Sequence, residues 1–181
     1  MTKVLVVYYS RTGHTRTVAQ LLASTLGADV EALEEDAKSA RRNNVWAYLK
    51  SALEAAFRLK VSLRPPRHDA SQYDLVLIGT PIWFWSVSSP VRAYIARYRG
   101  DFRRVAFFCT CGGAGQSKVF EELERLSGKM AVAGCAVREA EIANQQYIGK
   151  VAEFAARLEK TGAIKSPSPR EGSVAPPLAN A

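Results

Sequence analysis

Residues Lys3 to Thr15, KVLVVYYSRTGHT, decide how the rest of the chain is read. Lys3 to Tyr9 is a continuous β-branched and aromatic run, the composition of a strand covered on both faces in a parallel sheet. The character then changes abruptly. Ser10, Arg11, Thr12, Gly13, His14 and Thr15 place three hydroxyls and a glycine before a helical stripe of Val18, Leu21, Leu22 and Leu26, which Gly27 closes as a C-cap.

Strand, loop and helix recur outward from this point. Asp29 to Leu33 alternates weakly as a second strand, and Tyr73 to Ile78 is a second clearly buried one. Pro90 opens a helix carrying Val91, Tyr94, Ile95 and Tyr98, as proline does in a first turn. Arg104 to Phe108 reads as a strand, and Val119, Phe120, Leu123 and Leu126 as a helix. Ala131 to Glu141 supplies a last strand, interrupted by Gly134. Ile148, Val151, Phe154, Ala155 and Leu158 form an amphipathic helix ended by Gly162. The long connection of about 36–72 holds a further helix, Asn44 to Leu59. Such alternation predicts a doubly wound α/β fold, a five-stranded parallel sheet with helices on both faces. Ligands in these sheets bind at the carboxyl ends of the strands. The domain is expected over 1–163, with 164–181 a Pro/Ser-rich disordered tail.

The chain has 181 residues, 48% of them hydrophobic and 23% charged. That suits one domain with a substantial core and excludes a collagen-like fibre. Three cysteines, Cys109, Cys111 and Cys135, do not make a disulfide scaffold. No apolar run approaches the roughly 20 residues of a membrane span, and no signal peptide is evident, so a cytoplasmic setting is expected. The net charge of +8 is local. Lys38, Arg41, Arg42, Lys50, Arg58, Lys60, Arg64 and Arg67 stand against Glu54 alone, a net +7. Arg92, Arg97, Arg99, Arg103 and Arg104 against Asp101 add +4, which leaves the remainder acidic. The basic surface is thus a docking candidate for an anionic partner and disfavours nucleic-acid binding by the protein as a whole. Trp46, Tyr48 and Phe57 interleave the first cluster, at a spacing that fits a buried helix face better than base stacking.

Three loops carry chemistry. The loop 10–15 suits a phosphate: a helix N-terminus stabilises an anion, hydroxyls add hydrogen bonds and Gly13 permits close approach. Plain N-capping would need one hydroxyl, and three are present. Thr80, Pro81, Ile82, Trp83, Phe84 and Trp85 put flat side chains where an aromatic ligand can stack, with an aromatic cluster or a protein interface as the competing account. Cys109, Thr110, Cys111, Gly112 and Gly113 offer backbone groups to a planar polar ring. The Cys-x-Cys pair lacks the partners of a zinc site. No Gly-x-x-x-x-Gly-Lys-Ser/Thr loop and no Gly-x-Gly-x-x-Gly turn follow a strand, which disfavours a nucleoside triphosphatase and a Rossmann dinucleotide site. Receiver acids and a Cys-x5-Arg phosphatase loop are missing as well.

Ser10-x-Thr12-Gly13-x-Thr15, Thr80 to Trp85 and Cys109 to Gly115, in that order, resemble the flavodoxin family of short-chain type. The resemblance implies a sheet of order 2-1-3-4-5 and an FMN cofactor. It implies phosphate contacts from Ser10, Thr12, Gly13, His14 and Thr15, with Arg11 adding charge or pointing outward. Ring contacts are implied from Pro81, Ile82, Trp83, Phe84 and Trp85, and from Thr110, Cys111, Gly112 and Gly113. The function implied is that of an electron-transferring flavoprotein served by a redox partner protein. An NAD(P)H-dependent quinone reductase, acting on a small quinone-like acceptor, is the first alternative. A non-enzymatic binding module using the basic 38–67 segment is the second.

Overall fold

The computed structural model describes residues 2–36 and 61–164. In chain order these form β1 (Val4–Tyr8), α1 (His14–Leu26), β2 (Asp29–Ala32), β3 (Leu75–Trp83), β4 (Ser86–Val87), α2 (Ser89–Tyr98), β5 (Val105–Cys111), α3 (Gln116–Ser127), β6 (Ala131–Arg138), α4 (Glu139–Ala143) and α5 (Tyr147–Lys160). All five residues of β1 are buried, and their alternation divides them between two cores. Val4, Val6 and Tyr8 share one with Val18 and Leu22 of α1 and Phe154 and Leu158 of α5. Leu5 and Val7 share the other with Val91 and Ile95 of α2 and Val119 and Leu123 of α3.

The parallel strands lie in the order β2-β1-β3-β5-β6, which is the expected five-stranded 2-1-3-4-5 arrangement, and β4 pairs antiparallel with β3. The chain leaves β1 toward β2 on one side and resumes on its other side at β3, so the order reverses between β1 and β3. The Tyr9 N–H donates to the Gly79 carbonyl across that point (3.2 Å).

Three expectations need correction. The second loop, Thr80 to Trp85, is mostly strand: β3 continues to Trp83 and the chain returns as β4. The third loop is shorter than read, because Cys109, Thr110 and Cys111 are the buried end of β5. The last strand stops at Arg138, and Glu139–Ala143 turns into α4. That break is fixed by Glu141, whose carboxylate accepts from the Arg138 N–H (2.7 Å) and from Lys150 Nζ (2.7 Å) and is held below its ordinary range by them.

The predicted helix Asn44 to Leu59 and most of the basic 38–67 segment lie outside the described residues. The two ends of that connection run side by side along the edge strand β2. Glu35 bridges to Leu63, and the buried Glu31 carboxylate accepts from the Arg67 and His68 N–H groups (2.8 and 3.0 Å) and faces His68 Nδ1 (2.9 Å). Unpaired strand edges invite foreign pairing, and this covering blunts one. The second basic cluster is partly spent internally: Arg103 pairs with Asp74, and Arg104 donates to the Gly162 and Ala163 carbonyls. Ala163 and Ile164 are buried, so packing reaches the end of the described chain, and 165–181 lie outside it. No helix among the described residues is long and apolar enough to cross a membrane.

Gly79 is where the sheet can least accept a side chain. A Cβ there would lie 2.0 Å from the Phe108 ring. Gly79→Ala should cost about 1–3 kcal/mol through overpacking, a fall of several degrees in Tm. Combining it with Phe108→Leu should recover part of that loss. An unchanged Tm for the single variant would contradict this packing.

Candidate functional site

The helix α1 starts without a side-chain cap. Its cap residue, Gly13, has φ 99°, a left-handed conformation that glycine adopts freely, and no side chain occupies the first-turn N–H groups. Ser10 Oγ accepts from the Gly13 N–H (3.2 Å) and shapes the loop. Arg11 and Thr12 are exposed, Thr12 Oγ1 lies 3.4 Å from His14 Nδ1, and His14 Nδ1 lies 3.3 Å from Glu139 Oε1. Thr15 points inward instead: it is buried, and its hydroxyl pairs with that of Thr110 (2.8 Å).

The second segment is a tight hairpin. Ile82 pairs with Val87 and Trp83 with Ser86, leaving Phe84 and Trp85 as a two-residue turn with φ 50° and 57°. Turns of that hand are ordinarily built from Asn-Gly or similar pairs. Two bulky residues held there store strain of about 1–2 kcal/mol each, and they do so while 62% and 59% exposed. A carboxylate clamps the hairpin's return strand: Glu122 of α3 accepts from Ser86 Oγ and the Val87 N–H (both 2.9 Å) and pairs with Arg92 of α2. Arg92 in turn donates to the Val87 carbonyl (3.0 Å) and to Ser86 Oγ. Thr80 is fully buried at the hairpin base, accepting from the Ser88 N–H (3.1 Å). Pro81 and Ile82 are half-buried, and the Trp83 ring meets Tyr9 edge-on at 5.7 Å with the Arg11 guanidinium 6.0 Å from its centroid. Burial and the Glu35 carboxylate, which accepts from the Tyr9 hydroxyl (2.9 Å), push the Tyr9 phenol up to about 12.

The third loop is Gly112 to Gly115. Gly112, Gly113 and Ala114 are exposed, and Trp85 lies so close to Gly115 that a Cβ there would fall 2.7 Å from its Cδ1. The hairpin and this loop are therefore in contact. Glu139 joins the loop to the first segment, since its Oε2 lies 3.9 Å from a Cβ built at Gly112 while Oε1 faces His14. All three thiols are buried. Burial raises all three, Cys135 to about 11, and Cys109 and Cys111 upward as well. No group of metal-ligating side chains occurs among the described residues.

A phosphorylated flavin can be tested against these groups. Uncapped N–H donors, the Ser10 and Thr12 hydroxyls and His14 suit a phosphate. Exposed aromatic faces suit a ring. At the end of the third loop Gln116 Oε1 is buried without a hydrogen-bond partner, an acceptor that a ring N–H would satisfy. The donor set fits, although the Glu139 carboxylate stands beside His14. Of the residues named from sequence, Ser10, Thr12, Gly13, His14, Trp83, Phe84, Trp85, Gly112 and Gly113 gather at this edge. The side chains of Thr15, Thr80, Cys109, Thr110 and Cys111 are buried in the strands and helix beneath it. Glu139, Gln116 and Glu122 were not singled out from sequence, and Arg92 only as a member of the second basic cluster.

Fold and loops define a doubly wound α/β protein whose three loop segments meet at the carboxyl ends of its strands, around the β1/β3 switch point. Residues 3–151 match the flavodoxin family, and the chain belongs to it. It is 32% identical over 117 residues to a protein named NAD(P)H dehydrogenase (quinone) from Cupriavidus metallidurans, an alignment that covers 63% of this chain and 55% of that one. The chain thus spans about half the length of this relative. Among solved structures, a Bacteroides eggerthii protein superposes with a TM-score of 0.68 at 20% identity, covering 91% of this chain and all of that one. A Lactobacillus acidophilus flavoprotein in complex with FMN gives 0.60 at 20% identity, covering 81% and 99%.

Replacing the strained turn by its preferred residues, Phe84→Asn with Trp85→Gly, should raise the Tm of the cofactor-free protein by a few degrees as strain of about 1–2 kcal/mol per residue is relieved. An unchanged or lower Tm would show that the two aromatic side chains stabilise the hairpin more than its backbone strains it.

Proposed function

We propose that this chain is an FMN-binding redox flavoprotein that passes electrons from NAD(P)H to a small quinone-like acceptor in the cytoplasm. The observation that carries the reading is the convergence of the uncapped α1 terminus at Gly13, the strained Phe84-Trp85 turn and the Gly112–Gly115 loop on one sheet edge. Membership of the flavodoxin family and the FMN complex of a structural neighbour support it.

Ser10, Thr12, Gly13 and His14 would hold the phosphate, through N–H and hydroxyl donors and the positive end of the helix. Trp83, Phe84 and Trp85 would cover the ring, and Gly112, Gly113 and Gln116 would meet its polar edge. The bound flavin supplies the electron and hydride chemistry, while the protein sets position and potential. Neutral aromatic faces disfavour added negative charge on a stacked ring through lost solvation, and the Glu139 carboxylate acts in the same sense; both lower the reduction potential. The buried thiols, raised by burial, stay protonated and outside this chemistry. The relative named NAD(P)H dehydrogenase (quinone) favours a reductase over a carrier that needs a separate reductase.

The cofactor-free protein should take up FMN and turn yellow. Ser10→Ala with Thr12→Ala should weaken FMN binding roughly 10- to 100-fold, as expected for hydrogen bonds to a charged group, and leave riboflavin binding nearly unchanged. Equal loss for both ligands would move the phosphate away from this loop. The loaded protein should oxidise NAD(P)H with a soluble quinone unaided; turnover only after a second reductase is added would make it a carrier.

A further inference from the structure

Between the hairpin and the outer side of α3 lies a cavity of about 470 Å³, within the range of roughly 300–1,000 Å³ typical of small-molecule sites. It is bounded by helix residues as well as hairpin residues, and so lies beside the loop edge described above. Phe84 and Trp85 supply aromatic faces to it, and Lys118 and Arg125 supply cations. Seven residues apart on one helix, these cations stand on the same side, about two turns or ~10 Å from one another. The lining carries three cations, Arg92, Lys118 and Arg125, against the carboxylates of Glu121 and Glu122, a net +1. The Glu122 carboxylate is engaged by Arg92, Ser86 and the Val87 N–H, with Arg125 3.9 Å away. Lys118 and Arg125 therefore stand against Glu121.

Aromatic faces beside paired cations are the chemistry that holds a nucleotide: a base stacks, and phosphates bond to lysine and arginine. A neutral quinone would leave the cations unused. We infer that this cavity binds the adenosine diphosphate part of a dinucleotide, with the base on the faces of Phe84 and Trp85 that line the cavity, opposite those that would cover the flavin ring, and the phosphates on Lys118 and Arg125. Trp85 lines the cavity and also lies against Gly115, so a dinucleotide anchored here has its other half within reach of the third loop. This use of the cavity rests on the flavin reading, although its side chains are in place without a flavin.

The test is calorimetric titration of ADP into the FMN-loaded protein, where the α1 loop is already filled, and into Lys118→Glu with Arg125→Glu. Both positions are exposed, so the variant should keep the parental Tm and FMN uptake. The parent should bind ADP saturably at one site, more weakly as salt rises and much more tightly than adenosine. The variant should bind at least roughly tenfold more weakly, as loss of charge-assisted hydrogen bonds predicts. If that variant does not fold, Lys118→Gln with Arg125→Gln should show the same loss in smaller measure. No saturable ADP binding by the parent, equal binding by the variants, or equal affinity for adenosine would each overturn the inference. ADP binding of the expected kind in a parent that takes up no FMN would uphold the cavity and overturn the flavin reading.

Discussion

Every residue of β1 is buried, and its alternate side chains serve two different cores. A sheet covered on both faces leaves no surface along its strands for polar chemistry. Whatever binds must bind where strands end, and the reversal between β1 and β3 decides which ends spread apart. The first and third segments continue directly into the N-termini of α1 and α3, each begun by a glycine at positive φ. The hairpin fills the space between them. The arrangement of the site thus follows from two-sided burial before any ligand is considered.

The hairpin departs most from what stability alone would select. Phe84 and Trp85 occupy left-handed backbone positions and are more than half exposed. Other local features follow ordinary preferences: helices α1 and α3 end at glycines in the left-handed conformation, α2 carries proline in its first turn, and β1 is rich in β-branched residues. Strain that persists only because surrounding groups enforce it is common at binding sites. Here the enforcement is visible, in the Arg92–Glu122 pair that anchors Ser86 and Val87 from two different helices.

The sheet and its main helices were legible from sequence because hydrophobic period and punctuation agree: KVLVVYY for a two-faced strand, Gly27 for a helix end, Pro90 for a helix start. The hairpin was not, since Phe-Trp carries none of the turn chemistry that signals a two-residue connection. Cys109 to Cys111 read as a loop because the glycines follow so closely, yet the pairing of β5 with β3 and β6 draws them into the sheet. Thr15 belonged to a hydroxyl-rich motif, and only the fold brings Thr110 within 2.8 Å of it. Glu122, Arg92 and Glu139 act through contacts between elements far apart in the chain, which no local pattern records. Local rules located the three segments, and tertiary contacts decided which of their side chains face outward.

Three segments on one sheet edge are proposed to make a single flavin site. Amide NMR of the cofactor-free protein titrated with FMN tests it most directly. The largest shifts should fall together on Gly13 and His14, on Phe84 and Trp85, and on Gly112 to Gln116, while the β2 edge at Glu31 to Glu35 stays still. Shifts confined to one of the three segments, or centred on that β2 edge, would contradict it.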